Sequence, residues 1–134
     1  MYYLDSNMVI YASGDSGVKG EWCRSVISMI ENGSISACTS YLTYDEYFYK
    51  IKKEFSHEDA VKLSGIFLNI SNLTFIPVDR KVILTAQKLL TEYQINPRDA
   101  LHAATACLAG CNVVISEDND FNRFSFVTRK WMEL

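Results

Sequence analysis

Proline and glycine are scarce: only Pro77 and Pro97, with six glycines, occur among 134 residues. No internal repeat, low-complexity tract or Pro/Ser-rich linker is present, so fibrous and tethered-module architectures are excluded. No apolar run approaches the roughly 20 residues needed to cross a bilayer. The opening Met1-Tyr2-Tyr3-Leu4-Asp5 reaches an acid without a basic region, so no secretory signal is expected and the chain is placed in the cytoplasm. Cationic excess is also missing: 13 Lys+Arg stand against 16 Asp+Glu, a net charge of -3. That argues against wrapping duplex DNA by bulk charge, but not against an enzyme whose acids hold metal ions. The cysteines Cys23, Cys38, Cys107 and Cys111 contain no Cys-x-x-Cys pair, and without a secretory signal disulfides are not expected. Cys107 and Cys111 lie four apart on a predicted helix and share a face there; placement in the apolar core is preferred to a metal site.

What is present is ordinary globular material, 49% hydrophobic and 22% charged, enough for one domain with a sizeable core. Residues 2–4 read as a first strand ending at Asp5-Ser6-Asn7, a run of helix-capping types. A short helix over 8–12 follows, then a turn-rich stretch at 13–17 and an amphipathic helix over 19–31 closed by Asn32-Gly33. A second strand is expected at 35–39, helices at 41–54 and 57–70, and a third strand at 73–78 with Asp79 as the next N-cap. A helix after Asp79 carries Val82, Ile83, Ala86, Leu89, Leu90 and Tyr93 on one side. Asn96-Pro97 opens another, since proline suits the first helical position, and Gly110 ends it. A fully apolar strand at 113–115, an acid-rich turn and a last short strand near Phe126-Val127 complete the chain. Short strands alternating with helices define an α/β class with a parallel sheet covered on both faces.

The acids fall where such sheets bind ligands, beyond the carboxyl ends of the strands. Asp5 follows the first strand; Asp118 and Asp120 follow the 113–115 strand; Asp99 sits in the first turn of the Pro97 helix; Glu46 lies on the helix after the second strand. Singly, each has an ordinary role. Asp5, Asp79 and Asp118 suit N-caps, Asp99 suits a capping box, and Glu46 stands four before Lys50 at ion-pair spacing. Together, carboxylates converging on one sheet edge would repel unless a hard divalent cation neutralised them. Such a site activates water and stabilises the leaving oxygen of a phosphodiester.

Leu4-Asp5-Ser6-Asn7, the Ser40-x-x-Thr43-x-x-Glu46 helix, Arg98-Asp99-Ala100-Leu101-His102-Ala103-Ala104 and Ser116-x-Asp118-x-Asp120-Phe121 resemble, in order and over the whole chain, PIN-domain ribonucleases, and among them VapC-type toxins of toxin–antitoxin pairs. The resemblance implies a single PIN domain over residues 1–134, a three-layer α/β/α sandwich with a central parallel sheet. It also implies an endoribonuclease site holding Mg²⁺ or Mn²⁺. Asp5, Glu46, Asp99 and Asp118 match the acidic quartet, Asp120 a frequent fifth acid, and Asn7 and Ser116 polar residues that orient the quartet or a water. Serine replaces the usual threonine after the first aspartate and in the fourth motif, keeping the hydroxyl. Glu117-Asp118-Asn119-Asp120 leaves open which carboxylate is the main ligand, and Asp45 beside Glu46 raises a similar question. The face shared by Ser40, Thr43 and Glu46 selects Glu46.

By the same resemblance the substrate is RNA, a cognate antitoxin peptide docks in a groove lined by the early helices, and two chains pair as a homodimer. Arg98, Arg123 and Lys50 are candidate phosphate contacts, with surface ion pairs the preferred reading. The aromatic run from Tyr41 to Phe55 exceeds what one helix face can bury; a partner surface is the preferred reading, ahead of plain core packing and of stacking on unpaired RNA bases. His102, three residues after Asp99, is read as a packing or hydrogen-bonding residue. Three alternatives share parts of this pattern. A phosphoacceptor receiver domain shares the α/β plan, but needs an acidic pair after strand one and an aspartate to phosphorylate after strand three; here Asp5 stands alone and Pro77-Val78-Asp79 reads as a cap. A catalytically silent PIN-fold binding module fits poorly with acids at every matched position. A housekeeping PIN nuclease in RNA maturation differs in having no antitoxin gene beside it.

Overall fold

The computed structural model describes all 134 residues. Its sheet consists of β1 (Tyr2–Leu4), β2 (Ala37–Ser40), β3 (Leu73–Ile76), β4 (Val113–Ile115) and β5 (Thr128–Lys130), all parallel, in the order β3-β2-β1-β4-β5. The chain winds outward from β1 to β3, then returns across β1 to form β4. The topological switch point is therefore between β1 and β4.

Helices α1 (Ser6–Gly14), α2 (Val18–Glu31), α3 (Tyr41–Glu54) and α4 (His57–Leu68) cover one face; α5 (Arg80–Glu92) and α6 (Pro97–Leu108) cover the other. Strand alternation sorts the core between them. Tyr3, Cys38 and Val114 join Val82, Ala86 and Leu89 of α5, whereas Leu4, Ala37 and Ile115 join Met8, Val26 and Ile51. Ala100, Ala103, Ala104 and Ala106 are fully buried, and their small side chains let α6 approach the sheet closely. The result is the expected three-layer α/β/α sandwich. Gly20 has a packing reason: a Cβ there would lie 2.0 Å from the Asp15 carbonyl oxygen, and its N–H donates to Asp15 Oδ2 at 2.7 Å.

Several boundaries differ from expectation. The second strand begins at Ala37 rather than 35, because the Ser34 and Ile35 N–H groups close the end of α2 on the Met29 carbonyl. The third ends at Ile76, before Pro77, which has no N–H to continue a ladder. The last strand is Thr128–Lys130, not Phe126-Val127; Val127 is buried in the core, while the strand itself is polar and pairs only with β4. Cys107 and Cys111 do not share a helix face. The helix ends at Leu108 and Gly110 turns the chain with φ 76°, leaving Cys107 exposed and Cys111 buried 3.3 Å from Cys38, sulfur to sulfur.

Candidate active site

The carboxyl ends of β1 and β4 lie side by side, with Leu4 paired to Ile115. Asp5 and Ser116 therefore emerge together at the switch point. Asp5 is buried and caps α1 by accepting from the Ser6 N–H at 2.8 Å. Its other oxygen, Oδ2, accepts from the Ser116 hydroxyl at 2.6 Å and from Asn7 Nδ2 at 3.2 Å. Ser116 Oγ in turn accepts from Asn7 Nδ2 and from the Asp118 N–H. Asn7 Oδ1 accepts from the Glu117 N–H at 3.3 Å, tying the acid-rich turn to α1. The two polar residues expected beside the quartet thus hold Asp5 and the turn in one hydrogen-bonded unit.

Asp99, Asp118 and Asp120 form a second cluster, with a carboxylate oxygen of each within 4.8 Å of the others. Asp99 stands in the first turn of α6 behind Pro97, and Asp118 caps the 3-10 turn Asn119–Arg123 by accepting from the Asp120 N–H. Capping and clustering are therefore compatible roles of the same side chains. Burial, followed by the negative charges of Asp118, Asp5 and Asp120, pushes the Asp99 carboxyl up to about 6; His102 opposes the shift. A bound cation would relieve the part of this shift that comes from the crowding carboxylates.

Glu46 reaches the site from α3. Together with Asp5 and His102 it forms a third set of ligand-type atoms, again within 4.8 Å of one another. Its neighbour Asp45 is exposed, so the helix face shared with Ser40 and Thr43 selects Glu46 as expected. The Glu46–Lys50 ion pair does not form: Lys50 pairs with Glu54 at 3.3 Å instead. His102 Nε2 lies 2.5 Å from Glu46 Oε1 and Nδ1 lies 2.6 Å from the Tyr3 hydroxyl. Burial works against its charge, but the Glu46 hydrogen bond and the Asp5, Glu46 and Asp99 charges raise its pKa above the usual histidine value. Burial, then the Asp5 charge, pushes Tyr3 upward.

Among the basic candidates, Arg123 donates to the Gln94 carbonyl and lies 3.9 Å from Asp120. Arg98 is exposed and lines the cleft beside Glu46 and Asp99. Lys19 and Glu117 form a further pair at 2.7 Å that the sequence did not suggest, with the Lys19 ammonium 5.1 Å from the Tyr11 ring centroid. Tyr3 was not foreseen either. The available signal was a histidine inside the alanine-rich core face of α6, which calls for a buried polar partner.

This constellation of carboxylates at the switch point of a parallel α/β/α sandwich defines a protein class, and sequence comparison agrees with it. The profile described as "PIN domain" matches residues 2–127, and the chain belongs to that family. It is 25% identical over 131 residues to Ribonuclease VapC7 of Mycobacterium tuberculosis, covering 95% of this chain and 88% of that protein. Among solved structures, VapBC2 from Rickettsia felis, bound to a DNA fragment from its promoter, superposes with a TM-score of 0.78 at 19% identity, covering 97% of each chain. The DNA-bound VapBC from Salmonella typhimurium gives 0.77 at 20% identity, covering 97% of this chain and 96% of that one. Mycobacterium tuberculosis VapC20, described as a Sarcin-Ricin loop cleaving toxin, gives 0.76 at 17%, covering 95% and 97%.

Proposed function

We propose that this protein is a Mg²⁺- or Mn²⁺-dependent endoribonuclease acting in the cytoplasm as the toxin of a toxin–antitoxin pair. The observation that carries the reading is the convergence of Asp5, Glu46, Asp99, Asp118 and Asp120, from separate elements, on one sheet edge of a PIN fold. The donor set suits a hard divalent ion, because it is all oxygen and carboxylate-rich. Asp5, Asp99, Asp118 and Asp120 are the residues that would hold it. When bound, the ion lowers the pKa of water and neutralises charge on a phosphodiester.

The chain's own groups do the rest. Ser116 and Asn7 fix the Asp5 carboxylate so that it needs little reorganisation when loaded. Glu46 accepts a hydrogen bond from the attacking water and orients it towards phosphorus. That water attacks phosphorus and the bond to the 3′-oxygen breaks, leaving 5′-phosphate and 3′-hydroxyl ends. Arg98, at the mouth of the cleft, contacts a flanking phosphate.

The antitoxin site we assign to a groove of about 340 Å³ between α1, α2 and α4, lined by Val9, Ala12, Ile27, Leu63, Ile66 and Phe67. Its apolar walls and its position on the early helices fit an amphipathic peptide. Two toxin chains then pair through other surfaces as a homodimer. The test is incubation of the purified protein and of Asp5→Asn with single-stranded RNAs in Mg²⁺, in Mn²⁺ and in EDTA. Cleavage that needs metal and is lost in Asp5→Asn supports the reading. No cleavage by folded, antitoxin-free protein would favour a silent PIN-fold binding module.

A further inference from the structure

Tyr3, His102 and Glu46 form a chain of hydrogen bonds linking β1, α6 and α3. Tyr3 is 0% and His102 1% exposed, and their rings meet edge to face at 5.8 Å and 65°. Glu46 is the only member in contact with solvent, its side chain 17% exposed. A buried imidazole between a phenol and a carboxylate has few arrangements. The carboxylate oxygen accepts, so Nε2 must carry a proton and donate to Glu46 Oε1. At Nδ1 the Tyr3 hydroxyl donates to a neutral ring or accepts from a charged one. In either state both ring nitrogens are engaged, so neither offers a lone pair to a cation, although the three ligand-type atoms lie close together.

Resting on the nuclease reading above, we propose that His102 is a positioning residue: its Nε2–H holds Glu46 Oε1, Tyr3 fixes the imidazole, and the second Glu46 oxygen is presented to the cleft. That second oxygen has no hydrogen-bond partner in the protein, and Glu46 lines the cleft with Arg98 and Asp99. A free glutamate side chain would give up rotamer freedom on meeting the substrate. Here that freedom is given up on folding, because the buried His102 holds Glu46 Oε1. His102 makes the one hydrogen bond to the Glu46 carboxylate; Lys50 pairs with Glu54 instead.

The test combines kinetics with a readout independent of cleavage. Single-turnover and steady-state rates are measured for Tyr3→Phe, His102→Leu, His102→Gln and Glu46→Gln, and for Tyr3→Phe and His102→Leu combined with Glu46→Gln. Tyr3→Phe keeps the ring and its packing, so it serves if His102→Leu fails to fold. The expected loss is roughly 10-fold in kcat for Tyr3→Phe and His102→Leu with KM unchanged, partly restored in His102→Gln, whose amide can still donate to Glu46. In the Glu46→Gln background neither substitution costs anything further. In metal-free wild-type protein, ¹⁵N NMR should show the His102 Nε2 protonated, with a proton resonance that moves in Glu46→Gln. Losses that multiply, Tyr3→Phe at the wild-type rate, or an unprotonated Nε2 would each overturn the proposal. If the wild type cleaves no RNA, the nuclease reading falls instead, and the NMR result alone decides whether His102 holds Glu46.

Discussion

Asp5 and Ser116 are 111 residues apart in the chain, yet the serine hydroxyl donates to Asp5 Oδ2 at 2.6 Å. The contact exists because β1 and β4 are adjacent and in register at Leu4 and Ile115. Removing the hydroxyl in Ser116→Ala leaves Asp5 Oδ2 with Asn7 alone and also frees the Asp118 N–H. A hydrogen bond to a charged group contributes roughly 1.5–3 kcal/mol, so Ser116→Ala should lose about that much stability in urea titration and bind Mn²⁺ more weakly. An unfolding curve and a metal affinity both matching wild type would show that the hydroxyl does not organise the site.

Asp99 predicts an opposition between metal binding and apo stability. Its carboxyl titrates near 6, raised by burial first and then by the surrounding aspartates, while an unfolded aspartate titrates at about 3.9. The folded state therefore holds this proton more tightly than the unfolded state. Its contribution is complete below about pH 4 and disappears as pH rises through 6. In metal-free protein, the difference in unfolding free energy between Asp99→Asn and wild type should grow in favour of the variant from pH 4 to pH 7. Parallel pH curves would contradict this. Added Mg²⁺ should stabilise the wild type and not the variant.

The glycines at positions 20 and 65 separate a packing requirement from a conformational cost. Both lie within helices, but a Cβ at Gly20 would collide with the Asp15 carbonyl, whereas nothing lies within 4 Å of one at Gly65. Gly20→Ala should destabilise by about 1–3 kcal/mol, and Gly65→Ala should stabilise by roughly 0.5–1 kcal/mol through helix propensity. Denaturant midpoints measure both, and equal signs would be inconsistent with the α1–α2 geometry.

Local signals in the sequence were sufficient for the strand and helix count, because capping residues, Asn96-Pro97 and Asn32-Gly33 are read over a few neighbours. The acids of the candidate site were legible for a related reason: Asp5, Glu46, Asp118 and Asp120 sit shortly after a strand or within the first turns of the helix that follows it, and Asp99 in the first turn of the proline-started α6. The boundary errors arose where a tertiary preference overrode pattern. Phe126-Val127 looks like a strand, but Val127 is core filler and the polar Thr128–Lys130 forms the sheet edge. Strand order was an assumption at the sequence level, and with it the Asp5–Ser116 and Tyr3–His102 contacts. No spacing rule connects residues separated by about a hundred positions. Lys50 illustrates the opposite failure, in which correct i,i+4 spacing to Glu46 is outcompeted by equal spacing to Glu54.

The groove between α1, α2 and α4 gives the last prediction. Ile66 is 57% exposed at its rim while Phe67 beside it is buried. An apolar side chain left in water on a helix face is favourable to cover, by about 25 cal/mol per Å² of apolar area. If the antitoxin covers it, Ile66→Asp must bury a carboxylate on binding, or leave the contact open. The gene adjacent to that of this protein, if it encodes a small protein, supplies the partner for calorimetry. Ile66→Asp should weaken that binding by at least roughly 10-fold, equivalent to about 1.4 kcal/mol, while its far-ultraviolet circular dichroism matches wild type. Because Ile66 is already exposed, the substitution has little folded-state packing to lose, so the loss of affinity can be assigned to the interface. Unchanged affinity would place the antitoxin elsewhere, with the exposed aromatics Tyr41, Tyr49 and Phe55 of the α3 segment the next surface to substitute.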